Sequence, residues 1–382
     1  MKKAIVVGGS SGIGLALCRL LISRGYFVEI ISRKPPKAAV LDDTKFHHNA
    51  SDLCFFDEEL FHTLAGDPEI EILFLSAGIG RIANFEDFHV AEIDKTFAVD
   101  TVSTIKILKL FYNRIHSSGD FYCGVMGSIA GLVNSPMFAV YAAAKAGICR
   151  FVESVNIELE AAGIGNRILE VSPGSIKGTA FYGEENDSSM NADLADEILK
   201  RMFERETRFI SQYDEVYKDV LDRNCRDPHL FGLESYQYKM NSGRARKGKG
   251  AVIGYLSGTF DLFHIGHLNL IQRARQQCDY LIVGVHDSGK WKGKETYIPF
   301  EERKRIVGAC RYVDKVVDSC VEDSDAWTLW HFDKLFVGSD YKGTERFRRY
   351  EEFFSDKGVE IVYFPYTQST SSTQLRAAIA KS

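Results

Sequence analysis

The feature that most constrains this chain is that it begins twice. An apolar run at 3–7, KAIVV, breaks into the turn GGSSGIG and then into the helical pattern LALCRLLISRGY. At 251–256 the run AVIGYL does the same, breaking into SGTFDLFHIGH and then LNLIQRARQQC. Each is a buried strand, a polar or glycine-rich turn and a helix. In a parallel α/β sheet such a turn sits at the carboxyl end of its strand, where ligands bind.

Behind the first start, the β-rich runs FVEII, EILFL, FYCGVMG and RILEVSP alternate with helical patterns near 58–64, 90–115, 141–162 and 192–209. Behind the second come YLIVGVH, VDKVVD, KLFVGSD and VEIVYFP, again separated by helices. This alternation predicts an α/β protein of two Rossmann-like, doubly wound parallel-sheet domains. The expected boundaries are 1–240 and 250–382, with the polar, basic stretch 241–249 as linker. The aromatic-rich segment 214–238 reads as helical and fits either the first domain or a bridge.

At 382 residues the chain is too long for one ordinary core. Hydrophobic residues at 45% and charged residues at 26% are those of soluble globular protein. A net charge of −5 offers no global positive excess to draw nucleic acid or an anionic membrane surface, so neither is expected as a partner. No apolar stretch approaches the roughly 20 residues of a membrane span, and the N-terminal run is too short for a secretory signal. The eight cysteines are scattered without a C-x-x-C pair, which predicts free thiols and a cytoplasmic protein.

The first turn, Gly8-x-x-x-Gly12-x-Gly14, lets the backbone approach a pyrophosphate whose charge the helix N-terminus stabilises. The strand FVEII ends in Ser32-Arg33-Lys34 with no acid to accept from the ribose hydroxyls of NAD. Arg33 favours the 2′-phosphate of NADP(H), against the plainer reading of a solvated basic turn. Tyr141 and Lys145 lie four apart on a helix and share a face. A phenol with a pKa near 10 exchanges a proton poorly at neutral pH, and a neighbouring ammonium lowers that barrier. Ser128 would hydrogen-bond a substrate carbonyl.

Taken together in order and spacing, the glycine motif, Ser128, Tyr141-x-x-x-Lys145 and the turn Pro173-Gly174 closely resemble the short-chain dehydrogenase/reductase family over about residues 1–210. The resemblance implies a dinucleotide cradle of Gly8, Ser10, Ser11, Gly12, Ile13 and Gly14, with Arg33, Asp52 and Leu53 around the adenosine. Ser76, Ala77 and Gly78 would stand beside the cofactor, and Tyr141, Lys145, Ser175 and Ile176 at the nicotinamide. Three positions depart from the family pattern: Val7 for threonine, Ser76 for asparagine and Asp100 for the helix asparagine that holds a relay water. A carboxylate at 100 still holds a water but changes the relay's pKa.

In the second domain, His264 and His267 are three apart at the start of a helix and share its positive end. That arrangement suits a polyphosphate and charge on a phosphorus under attack. A zinc site would need a third ligand and usually H-E-x-x-H, which is absent. Lys292 and Lys294 form a basic loop that is either solvated or beside a phosphate. Ser371 with Gln374 makes a capping box, compatible with a phosphate site at the same helix end.

GTFDLFHIGH, KWKGK, the string Arg311-Tyr312-Val313-Asp314, Gly338-Ser339-Asp340 and STSST resemble the glycerol-3-phosphate cytidylyltransferase group of the HxGH nucleotidyltransferases over about 250–382. The resemblance implies that His264 and His267 bind the triphosphate and transition state, with Gly258, Thr259 and Phe260 also binding nucleotide or substrate. Lys292 and Lys294 would meet the acceptor phosphate, Arg311 a phosphate or a dimer contact, Asp340 the base or ribose, and Ser371, Ser372 and Thr373 the nucleotide phosphates. The closing motif lacks the family's arginine and glutamate, having Tyr366 and Gln368 instead, so acceptor recognition departs from glycerol phosphate.

The two halves together imply consecutive steps. A ketose phosphate, a pentulose 5-phosphate by preference, is reduced with NADPH to a polyol phosphate, which then takes CMP from CTP with Mg2+ assistance. The product is a CDP-polyol of the CDP-ribitol or CDP-xylitol type for a surface polysaccharide. The rival readings place the reductase on the CDP-linked sugar, or make the first domain an NADP-binding scaffold without catalysis. Both families commonly self-associate, which implies a homo-oligomer, dimer or tetramer.

Overall fold

The computed structural model describes residues 2–37, 41–176, 179, 187–241, 251–288, 295–365 and 375–376. The chain divides into two compact units, Met1–Gly248 and Lys249–Ser382. Most of the expected linker, from 242 on, lies outside the described residues.

The first unit runs β1 (Lys3–Val7), α1 (Gly12–Ser23), β2 (Phe27–Ser32), β3 (Phe46–Ala50), α2 (Glu58–Ala65), β4 (Ile70–Leu75), α3 (Val90–Phe97), α4 (Ser103–Leu110), α5 (Tyr112–Ile115), β5 (Tyr122–Met126), α6 (Ala139–Ala161), β6 (Ile168–Val171), α7 (Ala192–Phe203), β7 (Arg208–Phe209), α8 (Lys218–Arg226) and α9 (Pro228–Asn241). Its seven strands lie in the order β3-β2-β1-β4-β5-β6-β7, and every strand pair is parallel. Alternation along the strands feeds two cores. Ile5, Val7, Leu73, Leu75 and Val125 pack with Ile107, Phe111, Ile148 and Val152 on one face. Ala4, Val6, Ile30, Phe74 and Leu169 pack with Leu17, Leu21, Ile198 and Met202 on the other.

The second unit runs β8 (Ile253–Gly258), α10 (Ile265–Arg275), β9 (Tyr280–Val285), α11 (Phe300–Gly308), β10 (Lys315–Asp318), α12 (Asp323–Trp330), β11 (Lys334–Gly338), α13 (Glu345–Phe354) and β12 (Glu360–Phe364). The sheet order is β10-β9-β8-β11-β12, all parallel. Leu256, Val283 and Phe336 pack under Ile271, Ala274 and Val307, while Tyr255, Ile282 and Leu335 pack under Ala326, Phe347 and Phe354. In both sheets the chain reverses direction beside the first strand, so the turns after β1 and β8 open onto the crevice where doubly wound sheets bind ligands.

Two expectations are corrected, and one strand is added. The helical pattern 192–209 ends at Phe203: Arg205 takes φ 63 and the chain then pairs as β7. The pattern 90–115 is not one helix but three, with a π turn at Ala98–Val102 between the first two. The edge strand β3, FHHNA, is polar and half exposed, so it carries no apolar run for a sequence reading to find. The segment 214–238 belongs to the first unit. No described helix is long and apolar enough to cross a membrane.

Candidate active sites

The turn after β1 forms a cradle that only glycine permits. Gly8 has φ 86, and a Cβ there would stand 2.6 Å from the Ala77 nitrogen; one on Gly14 would stand 2.4 Å from both the Gly8 carbonyl and Ser76 Oγ. Ser76 closes this contact by donating from its hydroxyl and its amide to the Val7 carbonyl, at 2.9 and 2.8 Å. Ser10, Ser11, Gly12 and Ile13 complete the turn into α1, whose first amides face outward at its positive end. Arg33 is exposed at the end of β2 and Asp52, which caps a short turn by accepting from the Cys54 amide at 3.0 Å, follows β3 with Leu53. Ala77 and Gly78 follow β4, and Ser175 and Ile176 follow β6. All the residues the sequence assigned to this cradle therefore meet at the carboxyl edge of one sheet.

Ser128, Tyr141 and Lys145 meet at the same edge, and all three are buried. Ser128 caps a short turn after β5, accepting from the Ala130 amide at 3.2 Å. Tyr141 stacks on Phe138 with ring centroids 4.3 Å apart, and Lys145 Nζ lies 5.7 Å from the phenol ring while donating to the Met126 carbonyl at 2.8 Å. Burial pushes the Tyr141 phenol above its ordinary pKa, the Asp100 carboxylate adds to this, and the hydrogen bond with Ser128 opposes it. Without a bound dinucleotide, then, the phenol holds its proton; Lys145 is close but engaged with backbone.

Asp100 sits in the π turn, a rare geometry that recurs at functional sites. Its Oδ1 accepts from the Ile79 amide at 2.8 Å, and its buried Oδ2 has no hydrogen-bond partner among the described residues. Burial raises its pKa to about 6, opposed by Lys145 and by the Ile79 amide. A raised pKa means that the folded chain holds the proton more tightly than the unfolded one. The associated stability is complete below the ordinary carboxylate pKa of 3.8 and is lost as pH rises through about 6. Asp100→Asn is therefore expected to raise stability by about 2 kcal/mol at pH 8 and by much less at pH 4. Melting curves of the two proteins at both pH values check this.

A second buried acid went unnoticed in the sequence. Glu170 on β6 accepts from Arg208 Nε at 2.7 Å and hydrogen-bonds Ser172 and the Cys149 thiol, one helical turn beyond Lys145. It is an isolated charge in an apolar strand pattern, and its partner arises from the short strand that the sequence reading took for helix.

In the second unit, β8 leads into Gly258 and Thr259 and then two non-glycine residues in left-handed geometry, Phe260 (φ 52) and Leu262 (φ 50). His264 caps α10 through Nδ1, which accepts from the Gly266 amide at 3.0 Å and so leaves the proton on Nε2. His267 stacks on it, ring centroids 4.0 Å apart, with Phe260 and Phe263 packed around. Burial lowers the pKa of both, His267 to about 4 with help from His264 and against Asp261. Both imidazoles are thus neutral at pH 7 until an anion arrives.

Three residues to which the sequence assigns no role hold this turn. Asp261 is buried and accepts from the Tyr297 and Ile298 amides, at 3.1 and 2.9 Å, and from Arg376 Nη2. Arg303 is fully buried and donates to the carbonyls of Thr259, His286, Asp287 and Ile298, tying the ends of β8 and β9 together. Arg376 also donates to the Glu295 carbonyl at 2.6 Å. Asp340 follows β11 on the same edge as the histidines. Arg311 does not: it is exposed in the loop from α11 into β10, whose next residue but two, Asp314, pairs with Leu281 at the start of β9. That is the amino-terminal edge, opposite the histidines, a position that sets Arg311 apart from their phosphate site within one copy of the chain and leaves the expected dimer contact open. Lys292, Lys294, Ser371, Ser372, Thr373 and the altered closing motif lie outside the described residues. Among the described residues no group of three or more His, Cys, Asp or Glu is placed to hold a metal ion.

Known proteins match each unit separately. The short chain dehydrogenase family model matches residues 2–189 and the cytidylyltransferase-like model matches 255–378. Glycerol-3-phosphate cytidylyltransferase of Bacillus subtilis is 37% identical over 127 residues, which are 32% of this chain and 93% of the relative. Ethanolamine-phosphate cytidylyltransferase of Arabidopsis thaliana is 33% identical over 142 residues, 35% of this chain and 34% of that one. A probable short-chain type dehydrogenase/reductase of Helicobacter pylori is 26% identical over 196 residues, 50% of this chain and 72% of that one. Among solved structures, a short-chain dehydrogenase from Sphingobium yanoikuyae in complex with NADPH is 21% identical, covers 62% of this chain and 96% of its own, and has a TM-score of 0.49. The chain belongs to the cytidylyltransferase family through its second unit and carries a short-chain dehydrogenase domain as its first, which makes it both an oxidoreductase and a nucleotidyltransferase.

Proposed function

We propose that the chain reduces a ketose phosphate, preferentially a pentulose 5-phosphate, with NADPH and then joins the resulting polyol phosphate to CMP from CTP. The observation that supports this reading is that one polypeptide holds both Ser128, Tyr141 and Lys145, buried at the carboxyl edge of one sheet, and His264 stacked on His267 at the edge of another. The name of the Bacillus subtilis relative adds the acceptor class, a short polyol phosphate. A CDP-polyol of the CDP-ribitol or CDP-xylitol type then fits the altered closing motif and would serve a surface polysaccharide.

The Gly8 and Gly14 cradle, closed to any side chain, fits a pyrophosphate, and Arg33 fits a 2′-phosphate. NADPH, once bound, supplies the hydride. Ser128 would hold the carbonyl oxygen, Tyr141 would give it a proton, and Lys145 would stabilise the resulting phenolate. Arg33→Ala is expected to raise KM for NADPH about tenfold and to leave KM for NADH nearly unchanged, as steady-state rates with each cofactor would register.

At the second centre the acceptor's phosphate oxygen attacks the α-phosphorus of CTP and pyrophosphate leaves. The neutral His264 and His267 donate to the phosphate oxygens, and the triphosphate's charge favours their protonation as negative charge builds. Magnesium would accompany the triphosphate as part of the substrate. Incubation with NADPH, CTP, Mg2+ and a panel of pentulose phosphates tests the reading. Consumption of NADPH with a CDP-pentitol in the mass spectrum is expected. NADPH oxidation only after a CDP-linked ketose is supplied would reverse the order of steps, and no oxidation with any ketose would overturn the reading.

A further inference from the structure

The segment that follows β7 had no assignment in the sequence, and it lies beyond the residues that the dehydrogenase model matches. It starts with Gln212 in left-handed geometry (φ 56) and a π turn over Tyr213–Tyr217, closed by the Tyr217 amide donating to the Gln212 carbonyl at 3.2 Å. Among the described residues the first unit has two such rare turns, and the other one carries Asp100 beside Lys145. π turns persist where a side chain must be aimed at a cost in local hydrogen bonding.

What this turn aims is the Tyr217 phenol. An ideal Cβ on Gly174 would fall 1.4 Å from Tyr217 Oη and 2.1 Å from Cζ, so the phenol occupies the space a side chain there would need. Gly174 follows Pro173, whose carbonyl accepts from the amide of Ile129 at 3.2 Å, and Ile129 is the residue after Ser128. The hydroxyl end of Tyr217 therefore lies against the turn that backs the catalytic serine. The same segment grips the loop from Ser128 to Tyr141 further along. Asn224 Oδ1 accepts from the Asn134 amide at 3.0 Å, the Pro228 carbonyl accepts from Asn134 Nδ2 at 2.9 Å, and Lys239 Nζ donates to Ser135 Oγ at 2.8 Å.

We propose that Tyr217 lines the carbonyl-substrate side of the reductase centre and hydrogen-bonds a hydroxyl adjacent to the carbonyl, making it a specificity-determining residue. This rests on the reductase reading above. A ketose phosphate carries hydroxyls next to its carbonyl, and a phenol both donates to and accepts from such a group. A half-buried phenol retains the access to do so. Sites built to bond a hydroxyl reject analogues that lack it, whereas apolar walls discriminate weakly.

Tyr217→Phe in the full chain keeps the ring on Gly174 and removes only the hydroxyl. It is expected to lower kcat/KM for the preferred pentulose phosphate about tenfold, mainly through KM, and to flatten the preference over the 1-deoxy analogue. NADPH affinity, followed by cofactor fluorescence, stays within about twofold of wild type. An unchanged KM and unchanged preference overturn the assignment of Tyr217 while leaving the reductase reading intact. A matching loss of NADPH affinity also overturns it, since Tyr217 would then merely support the turn beside the cofactor. Wild-type protein that reduces none of the pentulose phosphates overturns the underlying reading itself.

Discussion

Replacing His267 with alanine is expected to lower CMP transfer about 100- to 1,000-fold while the same protein oxidises NADPH at its normal rate. The imidazole is enclosed by Phe260, Phe263 and His264 at the first turn of α10. Burial holds it neutral, with a pKa of about 4, so in the resting chain it is a fixed donor and not a free charge. In the proposed transfer it would need no reorganisation when charge appears on the α-phosphorus. Alanine leaves His264 in place, because that ring is held independently by the Gly266 amide. Pyrophosphate release from CTP measures the loss, and a melting curve shows whether the fold survives the small cavity. A fall of less than about threefold with the fold intact would remove His267 from the reaction.

The complementary substitution is Tyr141→Phe, expected to slow ketose reduction about 100- to 10,000-fold with pyrophosphate release unaffected. Phenylalanine preserves the stack on Phe138 at 4.3 Å and the burial of the ring. Only the exchangeable proton disappears, so the loss reports chemistry and not packing. If the variant reduces the ketose as fast as wild type, Tyr141 is not the proton donor; if neither protein oxidises NADPH while both release pyrophosphate, the first unit serves as a scaffold. Together the two variants partition the chain into two chemistries, each silent toward the other's substitution.

Much of this was legible before any coordinates. Strands that bury both faces write long apolar runs, so KAIVV, EILFL, AVIGYL and YLIVGVH announced the two sheets and the turns at their ends. The cradle glycines and the Tyr-Lys and His-His pairs were legible because their spacing is imposed by local geometry alone. What escaped depended on contacts distant in sequence. FHHNA carries no apolar signal because it is an edge strand, and a π turn has no composition of its own. Asp261 and Arg376 bind amides, a carbonyl or one another across 36 to 115 residues, and Arg303 binds carbonyls up to 44 residues away, which no spacing rule encodes. Of the two expectations for Arg311, a phosphate or a dimer contact, the sheet speaks only to the first, by carrying the residue to the edge away from the histidines.

In the proposed function one substrate passes through both chemistries. Supplying NADPH deuterated at the transferable position, with CTP and a pentulose phosphate, tests this in a single mass spectrum. The deuterium is expected in the pentitol moiety of the CDP-linked product. Deuterated pentitol phosphate accumulating beside untouched CTP, or a CDP-linked product without deuterium, would contradict it.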